Sequence, residues 1–167
     1  MRWTSFFILA YVTLGLETGL ARAIEWKSAA PNFVLLAVMF IALNAPRDAA
    51  LLACFILGLL HDFASQGTFG LLAFTYGSVG VVIGSLQQAV SRRHPLTHFI
   101  LTAVAGTVVA IILTLHDWLR PPAPHAYPPA LPLFSSAIYS AVLAPLVLGF
   151  LQKIDRVFRF QTARGRM

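Results

Sequence analysis

Phe33–Leu43 holds nothing but apolar side chains, and Leu96–Leu115 runs without a single Asp, Glu, Lys or Arg. A β-barrel strand alternates apolar and polar residues over about ten positions. These runs do not alternate, and only helices explain them. The chain has 167 residues, of which 11% are charged, and a mean hydropathy of +0.77. A soluble domain carries about 25% charged residues, so this chain has too few to cover a water-facing surface. Its apolar runs approach the length of about 20 residues that a helix needs to cross a bilayer. The fold class is therefore all-α, an integral membrane bundle.

Six spans are expected: Trp3–Ile24, Asn32–Ala45, Ala49–Asp62, Phe69–Val90, Leu96–Leu119 and Leu131–Gln152. The breaks between them have physical causes. Pro31 suits the first turn of a helix, where a missing N–H is harmless. Pro46 disfavours helical geometry at Ala45, and Arg47-Asp48 adds a polar break. Ser91-Arg92-Arg93-His94-Pro95 separates the fourth and fifth spans. The stretch Arg120–Pro129 is too proline-rich for helix and reads as extended polyproline. The domain division is a helical bundle over 1–152 and a basic cytoplasmic tail over 153–167.

A formal charge of +6 can signal nucleic acid. Here the cations sit at span ends, which reads as a topology signal instead. With the N-terminus inside, Arg2, Arg47, Arg92, Arg93, Lys153, Arg156, Arg159, Arg164 and Arg166 are cytoplasmic. Only Arg22, Lys27 and Arg120 then lie outside. The expected topology is N-in, C-in, with Trp3, Trp26 and Trp118 at the interfaces. The first span resembles a secretory signal, but its length and the interrupting Glu17 favour a retained helix. The tail, with Val157, Phe158 and Phe160 among its basic residues, suits a helix lying on anionic lipid.

Carboxylates are costly near lipid and are functional candidates by default. Glu17 lies inside the first span, facing the bundle and bonded to Thr13, Thr18 or a neighbouring helix, or else serving a site. Asp62 closes the third. It either lines a cavity or meets a partner at the outer face, or it caps the turn between spans three and four. Gly67 and Gly70 permit positive φ there. His61-Asp62 is echoed by His116-Asp117, and two such pairs raise the idea of a metal site or a general-base dyad. Neighbours on a helix point about 100° apart, so one pair cannot converge on a point. No His-x-x-x-His, Walker lysine or nucleophile elbow is present. No cofactor or metal is expected. The single Cys54 reads as a small buried filler. Gly77, Gly80 and Gly84 form a face for close helix packing, either within the bundle or against another subunit.

Pro31-Asn32-Phe33-Val34-Leu35-Leu36, the break Pro46-Arg47-Asp48, Gly58-Leu59-Leu60-His61-Asp62 and Gly67-Thr68-Phe69-Gly70-Leu71 together resemble the MreD family of rod-shape-determining membrane proteins. These motifs cover about a third of the chain; the rest matches by layout. By that resemblance Pro31, Gly58, Asp62, Gly67 and Gly70 are the family-pattern positions. It implies a non-enzymatic scaffold of the bacterial inner membrane. Its partners would be a bitopic MreC-like protein, the MreB filament and the wall synthases RodA and the elongation transpeptidase. It also implies a fold similar to the six-helix substrate-binding components of energy-coupling-factor transporters. The alternative is a vitamin-type binding component of such a transporter, although the spans offer few polar side chains for a ligand. The proline-rich loop 120–132 is longer than the resemblance suggests.

Overall fold

A computed structural model describes residues 3–23, 30–65, 68–86, 95–119 and 130–158. Six helices follow in order: α1 (Trp3–Ala23), α2 (Phe33–Asn44), α3 (Arg47–Ala64), α4 (Leu71–Leu86), α5 (Pro95–Leu119) and α6 (Ala130–Phe158). The all-helical expectation holds. The expected Trp26, Arg92, Arg93 and Gly67, the loop 120–129 and the tail beyond Phe158 lie outside the described residues.

The chain is organised around α2. Every residue from Phe33 to Leu43 is buried, as a helix that is apolar all round requires. It packs against each of the other five helices. Four of the remaining five helices form two tight hairpins, α3 with α4 and α5 with α6, and α1 packs on α2 and α3. Glycine makes both close. A Cβ at Gly58 would stand 2.6 Å from the Cα of Ala73, and one at Gly106 would stand 2.7 Å from the Cβ of Ala137. Gly80 rests on Cys54, and Gly77 lies beside Phe55. The small face of α4 is thus used inside the bundle, against α3. Cys54 is fully buried there, with its Sγ 3.7 Å from the carbonyl of Val38.

Among the described residues, three helices are long and apolar enough to cross a membrane, by the segments Trp3–Leu20, Leu96–Leu119 and Leu133–Leu151. The others are shorter. The 12 residues of α2 rise only about 18 Å. The backbone groups at its start are met by partners from the protein.

Two boundaries differ from expectation for stated reasons. Pro31 is not in the first turn of α2. Asn32 takes the N-cap, its Oδ1 accepting from the amide of Leu35 at 2.6 Å, and this leaves Pro31 just outside the helix. The third helix starts at Arg47 rather than Ala49, so Asp48 lies in its first turn. A carboxylate there complements the positive end of the helix dipole. At the other end of the chain, α6 continues without a break from the apolar segment through residue 152 to Phe158.

Candidate functional site

The polar groups of the bundle gather where α1 and α3 finish and α2 and α4 begin. Asp62, near the end of α3, is 4% exposed. Its Oδ2 accepts from the amides of Gly70 and Ala73, both at 3.0 Å, and its Oδ1 accepts from Leu72 at 3.1 Å. These are among the donors that an α-helix leaves unpaired in its first turn. The carboxylate of one helix thus caps the next. Gly70 enters that turn at φ 89, a conformation natural to glycine.

Gly58 and Asp62 are four residues apart and share one face of α3. Both meet the first turn of α4: Gly58 by admitting its backbone, Asp62 by bonding its amides. The motif Gly58-Leu59-Leu60-His61-Asp62 is therefore one device for joining α3 to α4.

Glu17 does the same for α2. Its Oε2 accepts from the amide of Phe33 at 2.6 Å. Thr13 and Thr18 do not bind it; their hydroxyls bond back to α1 carbonyls, at 2.8 Å to Leu9 and 3.0 Å to Leu14. The amide of Asn32 is met by Ser140 Oγ at 2.8 Å, and Ser136 Oγ donates to the carbonyl of Ala30. Side chains from α1 and α6 thus supply what water supplies at an exposed helix start.

A third set of contacts ties the two capped termini together. Asn32 Nδ2 donates to the hydroxyl of Tyr76 at 3.0 Å, and that hydroxyl lies 3.3 Å from His61 Nδ1. The rings of His61 and Tyr76 stack with centroids 5.9 Å apart and planes within 4°. An accepting Nδ1 suits the tautomer of His61 with its proton on Nε2. His61 and Asp62 both reach α4 but at different points: the ring stacks on Tyr76, and the carboxylate bonds the amides of the first turn. The second pair, His116-Asp117, sits at the end of α5, and His116 Nδ1 is buried without a hydrogen bond. Among the described residues, no group of three or more His, Cys, Asp or Glu side chains is placed to hold a metal ion.

The outer surface of this end is aromatic. Phe63 and Phe69 flank the Asp62 cap, 70% and 60% exposed, and meet edge to face at 4.8 Å. Trp118 at the end of α5 is exposed as well. An exposed Trp at the end of a membrane helix is an anchor of the headgroup layer, whereas the two Phe rings are wholly apolar.

Sequence reading singled out Asp62, Glu17, Gly58 and Gly70, and all four lie at or beside the α2 and α4 starts. It missed Asn32, Tyr76 and Ser140 as structural partners. Asn32 was visible as an N-cap residue directly before an apolar run. Ser140 carried no local signal, because its partner is 108 residues away.

The family described as rod shape-determining protein MreD matches residues 1–154. The chain belongs to the MreD family. Its relatives are rod-shape-determining structural proteins of the bacterial inner membrane, and the long apolar helices agree with that setting. No curated protein and no solved structure matches the chain. The likeness to energy-coupling-factor components therefore has no matching structure behind it. In this MreD-family chain, the family-pattern residues Gly58, Asp62 and Gly70 occupy the joint between α3 and α4, and Pro31 precedes the cap of α2.

Proposed function

We propose that this MreD-family protein is a non-enzymatic scaffold of the cell-elongation complex, binding an MreC-like bitopic partner at the Asp62 end. The observation that carries the reading is the use made of its carboxylates. Glu17 and Asp62 both bond backbone amides of the following helix, so each has a structural task. Beside Asp62, the Phe63–Phe69 pair is held outward on a capped turn, where a transmembrane or juxtamembrane segment can pack. Pro31, Gly58, Asp62, Gly67 and Gly70 then shape the docking end, and Glu17 secures α1 to it.

In this reading the protein lies N-in, C-in. Its tail from Lys153 meets anionic headgroups through its basic residues. The MreB-like filament and the wall synthases are reached directly or through the bitopic partner. The test is a mild-detergent pulldown with mass spectrometry, paired with depletion. An MreC-like partner in the pulldown and loss of rod shape on depletion are expected. Unchanged shape and lateral wall growth after depletion would overturn the proposal. A copurified vitamin-sized ligand together with a transporter ATPase would replace it with the transport reading.

A further inference from the structure

The α3–α4 hairpin, with helices of 18 and 16 residues, is short for a pair of membrane spans. Asp48 is exposed in the first turn of α3, and its single methylene cannot carry the carboxylate far toward water, as a long Lys or Arg stem can. It therefore fixes one water boundary close to its own level. Gly84 lies beside Arg47, so α4 reaches that boundary near its own end. At the opposite end the helix stops at Ala64, and the polar Ser65 follows as its C-cap. From Asp48 to Ala64 the helix rises about 24 Å, against a hydrocarbon core of about 30 Å.

The exposed side chains between these limits, among them Leu52, Phe55, Phe74 and Val81, are apolar. They face lipid over that reduced height. On α5 the apolar stretch from Leu96 to Leu115 rises about 29 Å, matching an ordinary bilayer. Tilt cannot remove the mismatch. A long helix shortens its span by tilting, whereas tilting a short one shortens it further.

We infer that the α3–α4 face thins the bilayer beside it and selects short-chain phospholipids, while the α5 face does not. The two faces of one bundle thus set a gradient of membrane thickness across the protein. The inference rests on helix length and charge placement and stands apart from the scaffold reading.

The test uses the full chain in vesicles, with Trp3, Trp26 and Trp118 replaced by Phe and one reporter introduced, Phe55→Trp or Ile111→Trp. Brominated dimyristoleoyl, dioleoyl and dierucoyl phosphatidylcholine compete as quenchers. At Phe55→Trp the myristoleoyl lipid should be preferred over the erucoyl lipid by at least about twofold, and at Ile111→Trp that preference should be absent. Adding R47L/D48L should move the optimum at Phe55→Trp toward oleoyl chains. Equal preferences at the two sites, or an oleoyl optimum at Phe55→Trp in the otherwise unchanged hairpin, would overturn the inference. So would a Phe55→Trp reporter that no lipid quenches, which would mean that protein covers this face. Should the Trp-free background lose its helicity, a photo-crosslinking side chain at position 55 in the wild-type background gives the same reading. Short chains enriched among the captured lipids support the inference, and unenriched capture overturns it.

Discussion

The carboxylate of Asp62 lies 3.0 Å from the amide of Ala73, and one helical turn earlier Gly58 leaves no room for a Cβ against the same Ala73. Capping and close approach are thus made at one point of α4 by two residues on one face of α3. This joint yields the first prediction. Asp62→Ala leaves three amides without their acceptor, two of them in buried bonds, and the loss should be about 2–4 kcal/mol. Asp62→Asn keeps one acceptor oxygen and should lose less. Equilibrium unfolding in detergent, read by circular dichroism, ranks wild type above Asn above Ala; equal stability of all three would remove the cap from the account.

Glycines give a prediction with an internal control. Gly58→Ala drives a methyl into the backbone of Leu72 and Ala73 and should cost about 1–3 kcal/mol. Gly70→Ala forces a side chain to positive φ, at about 1–2 kcal/mol. A Cβ at Gly15 or Gly19 meets nothing within 4 Å. Substituting Ala there should leave the fold intact or stabilise α1 by up to about 1 kcal/mol. Thermal unfolding of the four single variants should separate them into these two classes.

The hydroxyl of Tyr76 joins Asn32 on α2 to His61 on α3. Tyr76→Phe keeps the ring stacked on His61 and removes the hydroxyl, leaving Asn32 Nδ2 without that acceptor. The expected loss is about 1 kcal/mol. Combined with His61→Ala, it should fall short of additivity, because both changes break one chain of contacts. His116→Ala removes a ring whose Nδ1 makes no hydrogen bond, so its combination with Tyr76→Phe should be additive. A double-mutant cycle on unfolding free energies reads both cases.

Much of this bundle was legible in the sequence because membrane helices announce themselves by apolar length, and their breaks by proline and charge. The ends of α1, α2 and α5 fall within a residue or two of where those signals put them. The three glycines of α4 were legible as a packing face, though not their partner α3. The destination of the carboxylates was harder. Asp62 bonds residues 8 to 11 positions ahead, close enough for a turn cap to be considered. Glu17 reaches Phe33 only because α1 and α2 pack side by side, and no local pattern encodes that. Proline is tolerated in a first turn, yet Asn32 holds the stronger claim to the cap through its side chain and leaves Pro31 outside the helix.

Glu17 offers a prediction about the attachment of α1. Its Oε2 accepts from the amide that opens α2. Glu17→Gln retains an acceptor at that place, whereas Glu17→Ala leaves the amide of Phe33 unpaired, at about 1–2 kcal/mol. The Ala variant should also expose α1 first. Limited proteolysis in detergent should release an α1 fragment faster from Glu17→Ala than from wild type, with Glu17→Gln in between. Identical cleavage patterns would mean that packing alone holds α1 in place.

The exposed pair Phe63 and Phe69 gives the prediction that bears most directly on function. Neither ring is part of the buried core, and each is more than half exposed. Replacing both with Ala removes their mutual edge-to-face contact, about 0.5–1.5 kcal/mol, and should leave the capped turn standing. A partner helix packed on this surface would lose an aromatic anchor, the residue class that dominates binding energy at interfaces. The double variant should therefore insert and unfold almost as wild type does, yet recover markedly less of the MreC-like partner in a mild-detergent pulldown and fail to restore rod shape to depleted cells. Asp62→Asn is the counterpart: it weakens the turn from within and should reduce partner recovery only in proportion to lost folded protein. If Phe63→Ala/Phe69→Ala restored shape fully with normal partner recovery, the docking surface would have to lie elsewhere on the bundle. The aromatic pair would then serve only as a membrane anchor.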